Sequence, residues 1–290
     1  MNDWPKGPTS WIEDRHLFVS VPFTWNLPDI RAAASQRSFF WDGVTVGGPA
    51  VKLSRRFKNP FRWPDGVTVD YGDIDGVLER VNPRAMRTSM GCVNSCGFCG
   101  VPIIEPKFYE WRIHTATPII CDNNFLACSE THRRCVYNCL NQHPFDVQID
   151  FNQGLDARRL SGWDARWLKK LGAMCRLAYD TEAVGDDVRN AYGRLRAAGV
   201  IKKNISFYAL VGWLDTPEQA WKRCLEIESW KVHCCPMWFH ELDALEWNQV
   251  TEKQKALGWT NQKRLDIMGW FWQHRGTPPG IEITPKENHD

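Results

Sequence analysis

The chain has 290 residues, of which 43% are hydrophobic and 24% are charged, so it can bury a substantial core in one large domain or two modest ones. Its formal net charge of +2 excludes a general polyanion binder, and any contact with nucleic acid must come from a local basic patch. The sequence does not open with a basic start and an apolar run, and no apolar stretch is long enough to cross a membrane. We therefore expect a cytoplasmic protein without a membrane partner.

The predicted elements divide the chain into three regions. Residues 1–80 are punctuated by proline and glycine and are predicted to form a small N-terminal cap, with a turn at Gly47-Gly48-Pro49. Residues 81–245 alternate short apolar runs with amphipathic helical stretches, the pattern of βα units around a parallel sheet. Residues 246–290 are predicted as a helical segment near residues 253–274, followed by a tail, residues 276–290, that has little to bury.

Within the first region, residues 52–63 interleave basic and aromatic side chains, a mixture that suits phosphates and bases. The basic residues are Lys52, Arg55, Arg56, Lys58 and Arg62, and the aromatic ones are Phe57, Phe61 and Trp63. The alternative, which the sequence favours, is a solvated loop whose aromatic rings pin it to the rest of the protein.

Six buried strands are predicted in the second region. They are short and rich in β-branched, aromatic or sulfur-containing residues, and they cover residues 85–90, 118–121, 145–151, 174–179, 205–211 and 232–239. Helices fill the intervals, with a capped start at Thr216-Pro217 and a stop at Gly199. Six such units predict an α/β fold, a partial (β/α)6 TIM-like barrel with ligands at the carboxyl ends of its strands.

The first of these strands leads into a loop with three cysteines, Cys92, Cys96 and Cys99, spaced C-x3-C-x2-C with Phe98 just before the last. The whole chain has 11 cysteines, an odd number that favours reduced thiols and metal chemistry over disulfides. Thiolates are the ligands of iron-sulfur clusters, and three of them leave one iron of a cubane without a protein ligand. That iron can chelate a small molecule.

At these residues the sequence resembles the radical S-adenosylmethionine superfamily, and as a whole it resembles compact members found in bacteriophage genomes. The resemblance covers roughly residues 85–240 and implies that Cys92, Cys96 and Cys99 bind a [4Fe-4S] cluster while Phe98 packs near the adenine of S-adenosylmethionine. It also implies an electron donor such as flavodoxin or ferredoxin, and reductive cleavage of the cofactor to a 5′-deoxyadenosyl radical that abstracts hydrogen from substrate. For a viral protein, the expected location is the host cytoplasm.

The barrel interpretation places further candidate residues at the strand ends, and each has a structural alternative. By the resemblance, one of Asp122, Asn123 and Asn124 would hold the amino group of S-adenosylmethionine, although the usual glycine-glycine-glutamate form is absent and the three residues could equally cap a turn. The other cofactor-binding candidates are Gln153, Arg158, Asp180 and Gly212, where an Arg158–Asp156 ion pair, turn capping by Asp180 and a turn role for Gly212 are the alternatives. His240 is the candidate for substrate-side acid-base catalysis, with a structural histidine as its alternative.

The substrate is the least specified part of the prediction. The phage resemblance favours modification or rearrangement of a nucleobase, with a substituted thymine in phage DNA as one candidate, and this step is an analogy. A peptide or small metabolite is the second candidate, and it would gain ground if Cys128, Cys135 and Cys139, which share one helical face, held an auxiliary cluster. The third is a non-catalytic zinc-binding module with His114 or Cys121 as the fourth ligand.

Overall fold

The computed structural model describes residues 7–37, 41–72, 74, 76–142 and 144–273, so the predicted tail at residues 276–290 lies outside the described residues. The chain divides into two compact units. The first comprises Met1–Arg112, Ile119–Asn123 and His240–Trp247, and the second comprises Ile113–Pro118, Asn124–Phe239 and Asn248–Asp290.

Among the described residues, the first unit contains eight strands and four helices. In chain order these are β1 (Thr9–Glu13), β2 (His16–Ser20), α1 (Leu27–Arg37), β3 (Gly43–Gly47), α2 (Pro49–Ser54), β4 (Val67–Val69), α3 (Val77–Val81), β5 (Ala85–Met86), β6 (Ser89–Met90), α4 (Val101–Ile104), β7 (Tyr109–Glu110) and β8 (Ile119–Ile120).

The N-terminal region is built on a four-stranded sheet that the sequence did not predict. Its order is β1-β2-β3-β4, with β1 and β2 antiparallel and the other two pairs parallel. Strand alternation buries Leu17, Val19, Val44 and Val46 on one face, and α1 and α2 add further apolar side chains to the same cluster. Each fully buried side chain of this size stabilises the unit by about 1.5–3 kcal/mol. The region therefore has a core of its own.

The predicted strand at residues 85–90 is two strands. β5 pairs with β8 in parallel, whereas β6 pairs with β7 in antiparallel fashion. The chain leaves the first ladder between them because the backbone N–H groups of Thr88 and Ser89 donate to the carboxylate of Asp122. This turn directs β6 into the cysteine loop.

Among the described residues, the second unit contains four strands and six helices. In chain order these are α5 (Glu130–Gln142), β9 (Asp150–Leu155), α6 (Gly162–Lys170), β10 (Met174–Ala178), α7 (Gly185–Ala197), β11 (Ile205–Val211), α8 (Pro217–Ser229), β12 (His233–Trp238), α9 (Glu252–Ala256) and α10 (Asn261–Gln273).

The second sheet has six strands in the order β12-β11-β10-β9-β8-β5, and the pairs β5–β8, β9–β10, β10–β11 and β11–β12 are parallel. This confirms the predicted α/β class with a six-stranded parallel sheet, while closure of that sheet into a partial barrel stays a prediction. β9 spans Asp150–Leu155, so it begins and ends later than the predicted range of residues 145–151. Its polar residues belong to the strand, and its pairing with β10 contains a bulge between Phe151 and Leu155. Gly154 adopts a φ of +96° in that bulge.

The boundaries of the two compact units differ from those of the three predicted regions, which were placed at residues 80 and 245. In the first unit, β8 pairs with β5, and the hydroxyl of Thr24 donates to the carbonyl oxygen of Ala244 at 2.6 Å. These contacts join segments distant in sequence, and nothing in local composition marks such contacts.

Candidate functional site

The cysteine loop of the first unit carries three thiols. Cys92, Cys96 and Cys99 are all half-buried and none is in a disulfide. The backbone N–H of Cys99 donates to the carbonyl oxygen of Cys96 at 3.0 Å, which closes a turn between them. The backbone N–H of Asn94 lies 3.4 Å from the Cys92 sulfur, and that of Val101 lies 3.4 Å from the Cys99 sulfur. Two of the three sulfurs thus accept hydrogen bonds from the backbone.

The start of the loop is fixed by Gly91 and Glu105. Gly91 has a φ of +75°, and a side chain there would overlap the backbone of Lys107. Its N–H donates to Glu105 Oε2 at 2.6 Å. Because Glu105 follows α4 directly, one side chain ties the residue before Cys92 to the helix after Cys99.

Glu105 is 6% exposed and is satisfied by several donors. Arg87 reaches it with two nitrogens, each 2.6 Å from a carboxylate oxygen, and Asn123 Nδ2 lies 2.7 Å from Oε2. Burial alone would raise the pKa of the Glu105 carboxyl. The hydrogen bonds and charge of Arg87, the Gly91 N–H and the charge of Lys52 outweigh burial, so the pKa lies below its usual range.

Asp122 and Asn123 are two of the three candidates for holding the amino group of S-adenosylmethionine, and they contact residues next to the loop. The buried Asp122 carboxylate accepts from the Thr88 N–H and hydroxyl at 2.5 Å each and from the Ser89 N–H at 3.1 Å. Burial raises its pKa, although the Thr88 and Ser89 donors act in the opposite direction. Asn123 is half-buried and donates to Glu105. A cofactor contact for either residue remains a prediction.

Phe98 and His240 also belong to the first unit. Phe98 is half-buried within the loop. His240 is half-buried, and its ring centroid lies 4.5 Å from that of Trp25. A role for Phe98 beside adenine and for His240 in acid-base catalysis are both still predictions.

The second unit gathers polar side chains at the carboxyl end of β9. Asn124 is buried, and its Nδ2 donates to Asp156 Oδ2 at 3.1 Å. Arg158 donates to the same carboxylate with Nε at 2.7 Å and Nη2 at 3.0 Å. The ion pair that the sequence offered as the alternative use of Arg158 is therefore present. Gln153 is exposed, because the bulge of β9 turns it away from the core.

Asp180 follows β10 and differs from these residues. Within the described part of the chain, its half-buried carboxylate has no hydrogen-bond partner. Burial is the largest cause of a pKa raised to about 6, which the charge of Asp156 raises further and the charges of Arg223 and Arg158 lower. A carboxyl group that titrates near pH 6 can hold or release a proton near neutrality.

Gly212 ends β11 in a tightly packed turn. Its φ is +87°, and a Cβ there would overlap the ring of Trp238. Its N–H donates to Asp215 Oδ1 at 2.8 Å, and its carbonyl oxygen accepts from Gln254 at 2.8 Å. The turn role offered as the alternative for Gly212 is thus present, and its predicted contact with adenine is untested.

Two thiols of α5 donate hydrogen bonds, whereas the sulfurs of Cys92 and Cys99 in the cysteine loop accept them. The sulfur of Cys135 donates to the carbonyl oxygen of Ile113 at 3.4 Å, and that of Cys139 donates to the carbonyl oxygen of His114 at 3.6 Å. The pKa of the Cys139 thiol is raised by burial first and then by neighbouring Cys135. Protonated thiols are not metal ligands, so these contacts favour a structural role for the pair.

Sequence reasoning missed Glu105 and Thr88. One feature of the sequence could have indicated Glu105, which is a lone acidic residue between an apolar segment and a proline shortly after the cysteines. Thr88 had none, because its role depends on the position of Asp122, which lies 34 residues further along the chain.

Comparison of the chain with protein-family models, with curated proteins and with solved structures found no match. In the described part of the chain, no helix combines the length and the apolar character needed to cross a membrane.

Proposed function

We propose that the chain is a radical S-adenosylmethionine enzyme whose cysteine loop, residues 91–99, holds a [4Fe-4S] cluster. The observation that carries this proposal is the pair of backbone N–H groups directed at the sulfurs of Cys92 and Cys99. Hydrogen bonds to ligand sulfurs stabilise the thiolate form and tune the reduction potential of a cluster. The loop thus supplies both the ligands and part of their electrostatic support.

The donor set fits an iron-sulfur cluster in its chemistry. Thiolates are soft ligands that suit such clusters, and the loop offers three of them within eight residues. A bound cluster, reduced by the electron-donor protein, would supply one electron to S-adenosylmethionine, so that the bond between sulfur and C5′ would break to give methionine and a 5′-deoxyadenosyl radical that takes hydrogen from the substrate.

The residues around the loop have roles that follow from their contacts. Glu105 and Arg87 hold the loop's first residue in place, and Gly91 allows the close approach of the backbone at Lys107. When the residues around the ligands already hold them in place, ordering the ligands costs less free energy as metal binds. In the second unit, Asp180 can exchange a proton near pH 6, and Asn124, Gln153 and Arg158 offer further polar groups.

The zinc alternative is weakened by the surroundings of Cys121. Its side chain is 6% exposed and packs in an apolar cluster with Ala85 and Ile119, against Leu78. A thiol packed in this way resembles a small core residue more than a metal ligand.

For the substrate, we favour a nucleobase over a peptide. The peptide alternative gained its weight from an auxiliary cluster of Cys128, Cys135 and Cys139 on one helical face. Cys128 precedes α5 in an extended conformation, so that prediction is wrong for Cys128, and the thiols of Cys135 and Cys139 donate to backbone carbonyls. The nucleobase candidate is supported by a basic pocket in the first unit. The same proposal includes a cytoplasmic location and a small electron-donor protein.

The direct test of the activity is formation of 5′-deoxyadenosine. Anaerobically reconstituted, dithionite-reduced protein is incubated with S-adenosylmethionine and with thymidine, DNA or peptides, and the products are followed by mass spectrometry. We expect the wild type to form 5′-deoxyadenosine and to change the mass of the DNA or the nucleoside, but not that of the peptides. The Cys96→Ala variant should yield neither product.

Cys135→Ala is the matched control because it removes an exposed thiol outside the loop. It should retain cofactor cleavage. A Cys96→Ala protein that still cleaves the cofactor would refute the ligand assignment, and a mass change in peptides alone would move the proposal to the second substrate class.

A further inference from the structure

A basic pocket lies in the first unit, beside the helix that follows the cysteine loop. Its volume is about 510 Å³, within the usual range for sites that bind small molecules. The described residues that line it are Lys52, Arg55, Arg56, Tyr71, Ile103 and Ile104. Three of these are cations and none is an acid, although the whole chain has a net charge of only +2.

The structure separates the two kinds of residue that the sequence interleaves at 52–63. Phe57, Phe61 and Trp63 pack against the apolar cluster of the first unit, so these rings pin the segment as the alternative interpretation held. The cations at residues 52, 55 and 56 line the pocket instead. The aromatic surface available to a ligand therefore comes from another segment.

Helix α2 explains why the three cations lie together. Residues three and four apart share one side of a helical turn, and the cations are spaced i, i+3 and i+4 from Lys52. The helical turns continue past Ser54, because the N–H of Arg56 donates to the carbonyl oxygen of Leu53 at 2.9 Å. Like charges at this spacing repel each other, and a bound anion would relieve that repulsion.

The lining of the pocket also includes an aromatic ring and apolar side chains. The Arg55 guanidinium lies 4.9 Å from the ring centroid of Tyr71, which is exposed. Ile103, also exposed, belongs to α4, the helix that begins two residues after Cys99. Lys52 Nζ lies 3.5 Å from the carbonyl oxygen of Ile104 on the same helix.

We propose that this pocket binds a nucleotide unit of the substrate. This inference makes the proposed function more specific, and the choice of a nucleotide rests on that function. Arg55 and Arg56 bind its phosphate, and Tyr71 contacts its base or sugar. Arginine is suited to this role because its planar guanidinium can donate two parallel hydrogen bonds to a phosphate. Aromatic rings stack on bases of any sequence, so Tyr71 adds affinity without selecting one base.

The test measures binding of a short fluorescein-labelled single-stranded oligothymidylate by anisotropy, with the full-length protein at several salt concentrations. We expect the Arg55→Gln/Arg56→Gln variant to bind about tenfold more weakly than the wild type. Its plot of log affinity against log salt should also be shallower by about 1 to 2, because fewer counterions are released. Tyr71→Leu should weaken binding, whereas Tyr71→Phe should not.

Lys58→Gln is the control, because it removes an exposed cation from the same segment but outside the pocket lining. It should change affinity less than twofold. Competition by unlabelled oligonucleotide alone would assign the pocket to a polynucleotide, and competition by dTMP as well would assign it to a free nucleotide. Either result supports the proposal. Equal binding by the wild type and the double variant, or no binding by the wild type, would overturn it.

The same preparations separate this proposal from the proposed function. Wild-type protein that forms no 5′-deoxyadenosine but binds the oligonucleotide through Arg55 and Arg56 would refute the radical chemistry and leave the pocket assigned. Wild-type protein that cleaves S-adenosylmethionine but binds the oligonucleotide no better than the double variant would refute the pocket alone.

Discussion

At the scale of single residues, the pKa values of two carboxylates, one in each unit, are shifted in opposite directions. Glu105 is buried among donors, which lower its pKa and keep it ionised, and it anchors the cysteine loop. Asp180 has no described hydrogen-bond partner and a pKa raised to about 6. The first suits a fixed support, and the second suits a group that exchanges a proton.

Replacing Glu105 by glutamine should destabilise the protein by about 3 kcal/mol at pH 7, because Arg87 loses its buried counter-ion. Since the pKa of Glu105 is lowered on folding, its stabilising effect is full above the unfolded value of 4.5 and is lost as the pH falls through the folded pKa. Urea unfolding of the two proteins between pH 3 and 8 measures the difference.

The control for this change is Glu79→Gln, which alters an exposed carboxylate of the same unit and should shift stability by less than about 0.5 kcal/mol. A Glu105→Gln protein as stable as the control at pH 7 would show that the loop has another anchor.

Replacing Asp180 by asparagine should have the opposite effect on stability. A carboxyl whose pKa rises on folding, from 3.8 to about 6, makes the folded state lose stability as the pH increases through that interval. Asp180→Asn should therefore be more stable than the wild type by about 1–3 kcal/mol at pH 8 and equal to it below pH 4. Thermal unfolding across this range tests the prediction, which fails if the variant is the less stable protein at pH 8.

At the scale of secondary structure, the elements predicted best were those whose residues carry a local signal. β11 spans Ile205–Val211, the predicted range, because it is a continuous apolar run. α8 begins at the predicted place, where Thr216 accepts from the Gln219 N–H and Pro217 occupies the first turn. The sheet of residues 9–69, whose strands are three to five residues long, was not predicted.

Substitution of Gly212, in the turn after β11, tests how much its backbone conformation and its contact with Trp238 contribute to stability. Gly212→Ala should cost about 3 kcal/mol, because alanine disfavours a φ of +87° and its Cβ would overlap the Trp238 ring. Gly199 has a similar φ of +85°, but a Cβ there would lie 3.6 Å from Lys169 Cε, which is ordinary contact, so Gly199→Ala should cost only about 1 kcal/mol.

Denaturant unfolding of both glycine variants gives the cost of the overlap as the difference between them. Equal losses would mean that Trp238 moves aside freely, and the turn would then be explained by backbone conformation alone.

Across the fold as a whole, the spacing of the cysteines predicts which thiols are the candidate cluster ligands, but not which residues surround them. The proposed chemistry of the loop follows from nine consecutive residues, 91–99. Its supports could not, because Arg87, Glu105 and Asn123 meet only after β5, β8 and α4 have formed. Likewise, the charges of residues 52–56 could be counted in the sequence, but Tyr71 and Ile103 join them only through the fold.

The iron and sulfide content of protein isolated without oxygen shows whether the cysteine loop holds a cluster. We expect about four of each per chain in the wild type and in Cys135→Ala, as a [4Fe-4S] cluster requires, and little of either in Cys92→Ala, Cys96→Ala or Cys99→Ala. Wild-type protein with zinc and no sulfide, or with iron that survives loss of each loop cysteine, would contradict the account.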